Sequence, residues 1–287
     1  MSTNLLSEPF ALSSALISEY RESGAVRLPD VLDAATLDAV RETIRELTHD
    51  GDRARLPLKE RDTYGRAFTQ VFNLWRRDAV VRAFSLSSRL ARVASELMGC
   101  SGVRMYHDQA LFKEAGGGHT PWHCDQFYWP VDTDNTITAW IPLQETSLQM
   151  GPLAFARGSH KMTQGRDLQI SDHSEETLSR LLVDFVDDEQ PFALGEVSFH
   201  SGWTFHHARG NTTDRPREVH TIIYIDKDAR LREPATPFEQ FDARTWCPGV
   251  EVGEVIDSPL NPVLYTRDAQ QSKHDGSGPG TRATSSA

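Results

Sequence analysis

The sequence predicts a mainly β fold, a barrel or jelly roll, with helices packed on it from the N-terminal part. Two observations lead there. Apolar residues recur at helical spacing early in the chain, as at Leu37, Val40, Ile44 and Leu47. From Val103 onward the pattern changes to short apolar or alternating runs broken by Gly, Pro, Asn and Asp, as expected for many short strands. No internal repeat or interdomain linker interrupts the chain. The expectation is one domain over 1–266, helical to about residue 100 and jelly-roll from about 101. A flexible tail rich in Ser and Gly is expected over 267–287.

Taken in order, residues 7–23 carry mixed helical periodicity, and 24–29 read as a short strand ended by Pro29. Asp33 caps a helix reaching about Leu47, and a further helix spans about 78–98 before Gly99. Strands are expected at 103–113, 123–128, 137–143, 153–156, 196–199, 204–207 and 219–225. The acidic stretch 164–190, with a helix at about 174–183, interrupts this series and reads as a loop or lid beside a pocket.

Bulk properties exclude several classes. Among 287 residues, 38% are hydrophobic and 25% charged, enough apolar side chain for a folded core. The net charge of −11 argues against nucleic acid, which is bound through clustered Lys and Arg. Cys100, Cys124 and Cys247 are odd in number and widely spaced, so neither a disulfide framework nor a structural zinc site is expected. No apolar run is long enough to span a membrane, and no secretory leader is visible. The expected setting is cytoplasmic, as a monomer or homodimer acting on a small molecule.

One constellation carries chemistry. His123-Cys124-Asp125 is an H-x-D pair. On a strand its two outer side chains share one face, and together they suit Fe(II), Mn(II) or Zn(II). A second histidine would complete a facial triad with open positions. The candidates are His160, His173, His200, His206, His207 and His220, with His200 and His207 read as ordinary surface or hydrogen-bonded residues. An open iron site needs a two-electron co-substrate. 2-Oxoglutarate would chelate the metal and present its far carboxylate to a guanidinium. Arg217, on the returning strand, is placed for that role; the alternative is a surface salt bridge. Cys124 would point to the opposite face as a small buried residue.

Three ordered blocks resemble the phytanoyl-CoA dioxygenase family over roughly residues 24–265. They are His107-Asp-Gln-Ala-Leu-Phe-Lys113 with Thr120-Pro-Trp-His-Cys-Asp-Gln126; Thr138-Ala-Trp-Ile-Pro-Leu143 with Gly151-Pro-Leu and Gly158-Ser-His-Lys161; and Phe199-His-Ser-Gly-Trp-Thr-Phe-His206 with Asn211-Thr-Thr and Arg217. Cys247-Pro-Gly and Ser258-Pro-Leu-Asn-Pro262 also look like the family's C-terminal segment.

The resemblance implies a double-stranded β-helix (jelly roll, cupin-like) and an Fe(II)- and 2-oxoglutarate-dependent dioxygenase that consumes O2. It implies His123, Asp125 and His206 as metal ligands, with His207 as the rival to His206. It assigns Arg217 to the co-substrate's distal carboxylate, and Gln109 and Trp140 to the lining of its pocket. Asp125 fills the position that halogenating relatives leave open for chloride, so hydroxylation of a small organic substrate, as in specialised biosynthesis, is expected. Desaturation, cyclisation or epimerisation by the same chemistry is the alternative. Outside the class stand a cupin-like metal enzyme without 2-oxoglutarate, a zinc hydrolase, and a non-catalytic binding protein on the same jelly roll.

Overall fold

The computed structural model describes residues 5–50 and 56–267. The tail expected over 267–287 therefore lies outside the described residues, apart from Arg267.

The N-terminal part supplies five helices, four of which pack on one face of a sheet. α1 (Ser14–Ser23) starts on a Ser13 cap and ends where Gly24 takes φ 77°, a left-handed conformation that favours glycine. Helix does not extend back to residue 7; Pro9 and the Ser13 cap set its start. β1 (Ala25–Leu28) follows. In α2 (Ala34–Asp50), Asp33 accepts from the Thr36 amide at 2.7 Å. α3 (Thr63–Ala67) and β2 (Thr69–Phe72) were not anticipated. The expected helix over 78–98 is two, α4 (Ala79–Ser85) and α5 (Ser88–Met98). Ser87, whose hydroxyl accepts from Leu90, starts the second one afresh.

The strands then follow as β3 (Gly102–Lys113), β4 (Thr120–His123), β5 (Thr136–Pro142) and β6 (Leu153–Ala156). Next come α6 (Asp172–Leu181), β7 (Asp187–Glu189), β8 (Val197–Ser201), β9 (His206–Ala208) and β10 (Arg217–Asp226). α7 (Pro237–Trp246) and β11 (Val263–Thr266) complete the order. The antiparallel strands form two sheets. The larger runs β1-β8-β5-β10-β3-β11, with β2 also paired to β3; the smaller runs β4-β9-β6-β7. This is the jelly roll that the strand pattern predicted, with both sheets facing a shared interior. One strand expectation fails: 123–128 is not extended. β4 stops at His123, and Asp125–Tyr128 is a 3-10 turn.

Alternation along the larger sheet separates the core from the site. Ile137, Ala139 and Ile141 of β5, with Val197 and Phe199 of β8, join the core beneath the helices. Thr138, Trp140 and His200 therefore face the interior between the sheets. There Trp140 and Val219 pack on Leu153 and Phe155 of the smaller sheet. In β3 the alternation breaks. A bulge lets Ile223 pair with His107 while Tyr224 pairs with Met105, leaving Tyr106 between them. The extra residue turns two successive side chains, Tyr106 and His107, to the interior. Met105 remains in the helix-side core, and Asp108 accepts from Ser85 of α4 on that side.

Candidate active site

His123 ends β4 and His206 begins β9, and the two are direct partners in the ladder. Asp125 opens the 3-10 turn two residues further on. Asp125 does not share a strand with His123 as expected; the turn, and not a pleat, returns it to His123. The outcome is nonetheless a cluster: one donor atom from each of His123, Asp125 and His206 lies within 4.8 Å of the others. Asp125 Oδ1 stands 3.9 Å from His123 Nε2 and 3.6 Å from His206 Nε2.

Both imidazoles are held from behind. His123 Nδ1 donates to the Pro121 carbonyl at 2.7 Å, and His206 Nδ1 donates to the Thr204 carbonyl at 2.9 Å. A carbonyl accepts only, so the proton sits on Nδ1 and the Nε2 lone pair faces Asp125. Burial keeps both imidazoles below their ordinary pKa, and the mutual proximity of His123 and His206 adds to it for His206. Burial works against the Asp125 charge, yet His206, His200 and His123 outweigh it and hold the carboxyl far below the usual range. Two neutral nitrogens and one ionised carboxylate, in one interior pocket, are a donor set that fits a divalent first-row metal such as Fe(II).

The other carboxylate oxygen is fixed by residues the sequence reading passed over. Asp125 Oδ2 accepts from Thr138 Oγ1 at 2.8 Å and from His200 Nε2 at 3.2 Å. Thr138 and His200 are cross-strand partners on β5 and β8. His200, expected to be unremarkable, is buried and touches the Asp125 carboxylate. The signal that finds it is its pairing, on the interior face, with Thr138. His207 is not brought to the cluster. It stacks on Trp122 at 4.0 Å and contacts Asp187 Oδ1 at 3.1 Å. Cys124 packs with Trp122, Leu178 and Phe205, away from the cluster.

Arg217 opens β10 and is buried, so a surface salt bridge is not its role. Its Nη1 donates to the Gly151 carbonyl at 2.5 Å, its Nε has no partner, and its guanidinium lies 5.4 Å from the Trp140 ring centre. Lys113, also buried, is its direct partner on β3. Among the described residues neither pairs with a carboxylate. Burial lowers Arg217 to about 9; burial, then Arg217, push Lys113 well below its ordinary value. Lys113 Nζ is engaged by the Gly118 carbonyl and the Thr120 hydroxyl, whereas Arg217, with its Nε unpartnered and no counter-charge, is the group of this cavity suited to an anion.

His123, Asp125, His206 and Arg217 all line one cavity of about 490 Å³, as do Gln109 and Trp140. Gln109 accepts from Gln70 at 2.6 Å, and Gln70 in turn accepts from the Tyr64 hydroxyl at 2.6 Å. The acidic stretch 164–190 contributes little to this lining. Gln169 and Ile170 reach the cavity, while α6 packs on β4, where Glu175 accepts from the Trp122 amide at 2.8 Å. The wall that sequence reasoning missed is α7. Phe238, Phe241, Asp242 and Trp246 line the cavity at i, i+3, i+4 and i+8, one helical face. A Thr236 cap and Pro237 in the first turn start this helix and are readable in sequence.

Comparison with known proteins agrees with this geometry. The model of the phytanoyl-CoA dioxygenase (PhyH) family matches residues 20–219. A phytanoyl-CoA dioxygenase domain-containing protein 1 homolog of Caenorhabditis briggsae is 24% identical over 162 residues, 52% of this chain and 56% of that protein. The chain thus spans about half the length of the curated relatives it matches. A probable alpha-ketoglutarate-dependent hypophosphite dioxygenase of Stutzerimonas stutzeri is 31% identical over 84 residues, 29% of this chain and 28% of that protein. Among solved structures, the non-heme alpha-ketoglutarate-dependent carbocyclase SnoK from nogalamycin biosynthesis superposes with a TM-score of 0.74 at 25% identity. That match covers 90% of this chain and all of SnoK. EctD from S. alaskensis, with 2-oxoglutarate and 5-hydroxyectoine, gives a TM-score of 0.66 at 21% identity, over 88% of this chain and 89% of EctD.

Proposed function

This chain belongs to the phytanoyl-CoA dioxygenase family, and we propose on that premise that it is an Fe(II)- and 2-oxoglutarate-dependent dioxygenase hydroxylating a C–H bond of a small organic molecule. The observation that carries the reading is the His123–Asp125–His206 cluster opening into the same cavity as the unpaired, buried Arg217. Iron and 2-oxoglutarate held there would supply the oxidation, with one atom of O2 going to the substrate as hydroxyl, the other to succinate, and CO2 released.

The chain's own residues prepare this. His123 and His206 offer Nε2, and Asp125 offers Oδ1 while Thr138 and His200 hold Oδ2. Arg217 would receive the distal carboxylate, with Lys113 as its neighbour on the adjacent strand. Trp140 packs beside the guanidinium and excludes water from that end of the cavity. Gln109, fixed through Gln70, lines the same space. The substrate is a small organic molecule such as an intermediate of specialised metabolism, in line with the likeness to SnoK, and a cavity of about 490 Å³ is within the range of small-molecule sites. A second reading, the same oxidation diverted to ring closure, is favoured by the likeness to the carbocyclase SnoK.

The ligand set is tested by anaerobic Fe(II) titration against a competing chelator. His123→Ala and His206→Ala are expected to weaken Fe(II) binding by more than roughly 100-fold, beyond the effect of outer partners. His207→Ala is expected to leave it unchanged. Equal losses in the His206 and His207 variants would contradict the assignment.

A further inference from the structure

This inference rests on the oxygenase reading and names a substrate class for the same site. We propose that the cavity takes the protonated amine of an aromatic substrate, with Asp242 as the counter-ion and Phe72, Phe241 and Trp246 as the surrounding rings.

The charge distribution gives the sign. Arg217 is the one Lys or Arg among the described residues that line the cavity, and the oxygenase reading assigns it to the co-substrate. Elsewhere the charged lining is acidic: Asp125 at the metal cluster, Asp62 at the exposed cap of α3, and Asp242 on α7. A phosphate, a CoA ester or a carboxylate would meet no counter-charge outside the co-substrate end.

Asp242 is 8% exposed. Tyr106 donates to its Oδ2 at 3.3 Å, and Trp246 lies within hydrogen-bonding reach. No Lys, Arg or His among the described residues pairs with it. A carboxyl in such surroundings resists ionisation unless a cation comes with it. Burial pushes it up to about 7 even with those two donors. A bound ammonium supplies the missing charge, and neighbouring ring faces attract the same cation. Phe72 and Trp246 stand 4.8 Å apart, Phe241 is 6.5 Å from Trp246, and all three line the cavity.

Two further groups point to an occupant. His107 Nδ1 and Thr221 Oγ1 are buried without hydrogen-bond partners, and both side chains line the cavity. His107 is turned inward by the same bulge that aims Tyr106 at Asp242. Buried polar atoms without partners are rare; His107, whose ring lies 5.1 Å from that of Trp246, sits on the α7 side, and Thr221, the cross-strand partner of Gln109 and Trp140, lies further along the same cavity. Phe241, 53% exposed, and Phe238, 41% exposed, set aromatic surface at the cavity mouth, as suits a planar ring system entering from solvent.

The test uses three matched probes on the full chain loaded with Fe(II) and 2-oxoglutarate under nitrogen: naphthalen-2-ylmethanamine, naphthalen-2-ylmethanol and 2-naphthoate. Binding is read by isothermal titration. The amine is expected to bind at least tenfold more tightly than the alcohol, with 2-naphthoate weaker still. Asp242→Asn is expected to abolish the preference for amine over alcohol while keeping the alcohol's affinity. Equal affinity for amine and alcohol, tighter binding of the naphthoate, no binding of the amine, or a preference surviving in Asp242→Asn would each overturn the proposal. The iron–2-oxoglutarate absorption band, recorded on the same samples, shows that the variant is folded. It also keeps the two readings apart, since its absence would count against the oxygenase and not against the amine site.

Discussion

His200 Nε2 donates to Asp125 Oδ2 at 3.2 Å, on the oxygen opposite the one that faces His123 and His206. With the Thr138 hydroxyl on the same oxygen at 2.8 Å, it orients the carboxylate and sustains its charge in a buried place. Hydrogen bonds to an ionised acceptor are stronger than neutral ones. His200→Phe, close in shape, is expected to weaken Fe(II) binding by roughly 10- to 100-fold with little change in thermal midpoint. Chelator competition and calorimetry on the same preparation check both halves; unchanged iron affinity would remove His200 from the site.

Gly151 links backbone geometry to the placement of Arg217. It sits at φ 68°, its carbonyl accepts from Arg217, and a Cβ there would lie 2.1 Å from the Arg209 carbonyl oxygen. Gly151→Ala therefore has to move the loop before β6, whose carbonyl anchors the guanidinium, or the chain at Arg209. The expected result is a loss of about 2 kcal/mol of stability and a fall in 2-oxoglutarate affinity on the order of tenfold or more, with iron binding retained. Denaturant melts and co-substrate titration measure the two.

Asp242 costs stability as it ionises. Its folded pKa, about 7, is above the 3.8 of an unperturbed aspartate. Its contribution is fully present below the unfolded value and is lost as pH rises through the folded one. Asp242→Asn removes that loss. The variant is expected to be more stable than wild type at pH 8, by an amount on the order of a few kcal/mol, with the gain shrinking towards pH 4. Melts across that range decide it; a gain that does not depend on pH would contradict it.

His107 acts at the acid end. Burial lowers its folded pKa to about 4 from 6.5. Protonation therefore favours the unfolded chain: stability is full above 6.5 and drains as pH falls towards 4. His107→Phe, set among the rings of Phe72, Tyr106 and Trp246, is expected to flatten the decline between pH 6.5 and 4.5. An unchanged slope would show that His107 is not buried as a neutral group.

Much of this architecture was legible in the sequence where one residue's surroundings are set by its neighbours along the chain. Period-2 segments gave β3, β5, β6 and β10 close to their observed limits, and the Asp33 cap gave α2. The H-x-D pair with His206 was legible as residue types at a spacing. What was not legible depends on the third dimension. The turn at Asp125 replaced an expected strand because Asp125–Tyr128 folds against α7. His200 and Lys113 acquire their roles only once β8 pairs with β5 and β10 with β3. The bulge at Tyr106 leaves no local mark in β3, and without it His107 would join the helix-side core. The face of α7 was readable from its spacing, but nothing local says which cavity it closes.

The most direct test of the oxygenase assignment is anaerobic absorption spectroscopy of the metal-free protein given Fe(II) and then 2-oxoglutarate. The account predicts a weak visible metal-to-ligand charge-transfer band in wild type. It predicts no band in His206→Ala, and in Arg217→Met a band that needs much higher 2-oxoglutarate. Iron bound in wild type with no band at saturating 2-oxoglutarate would contradict it.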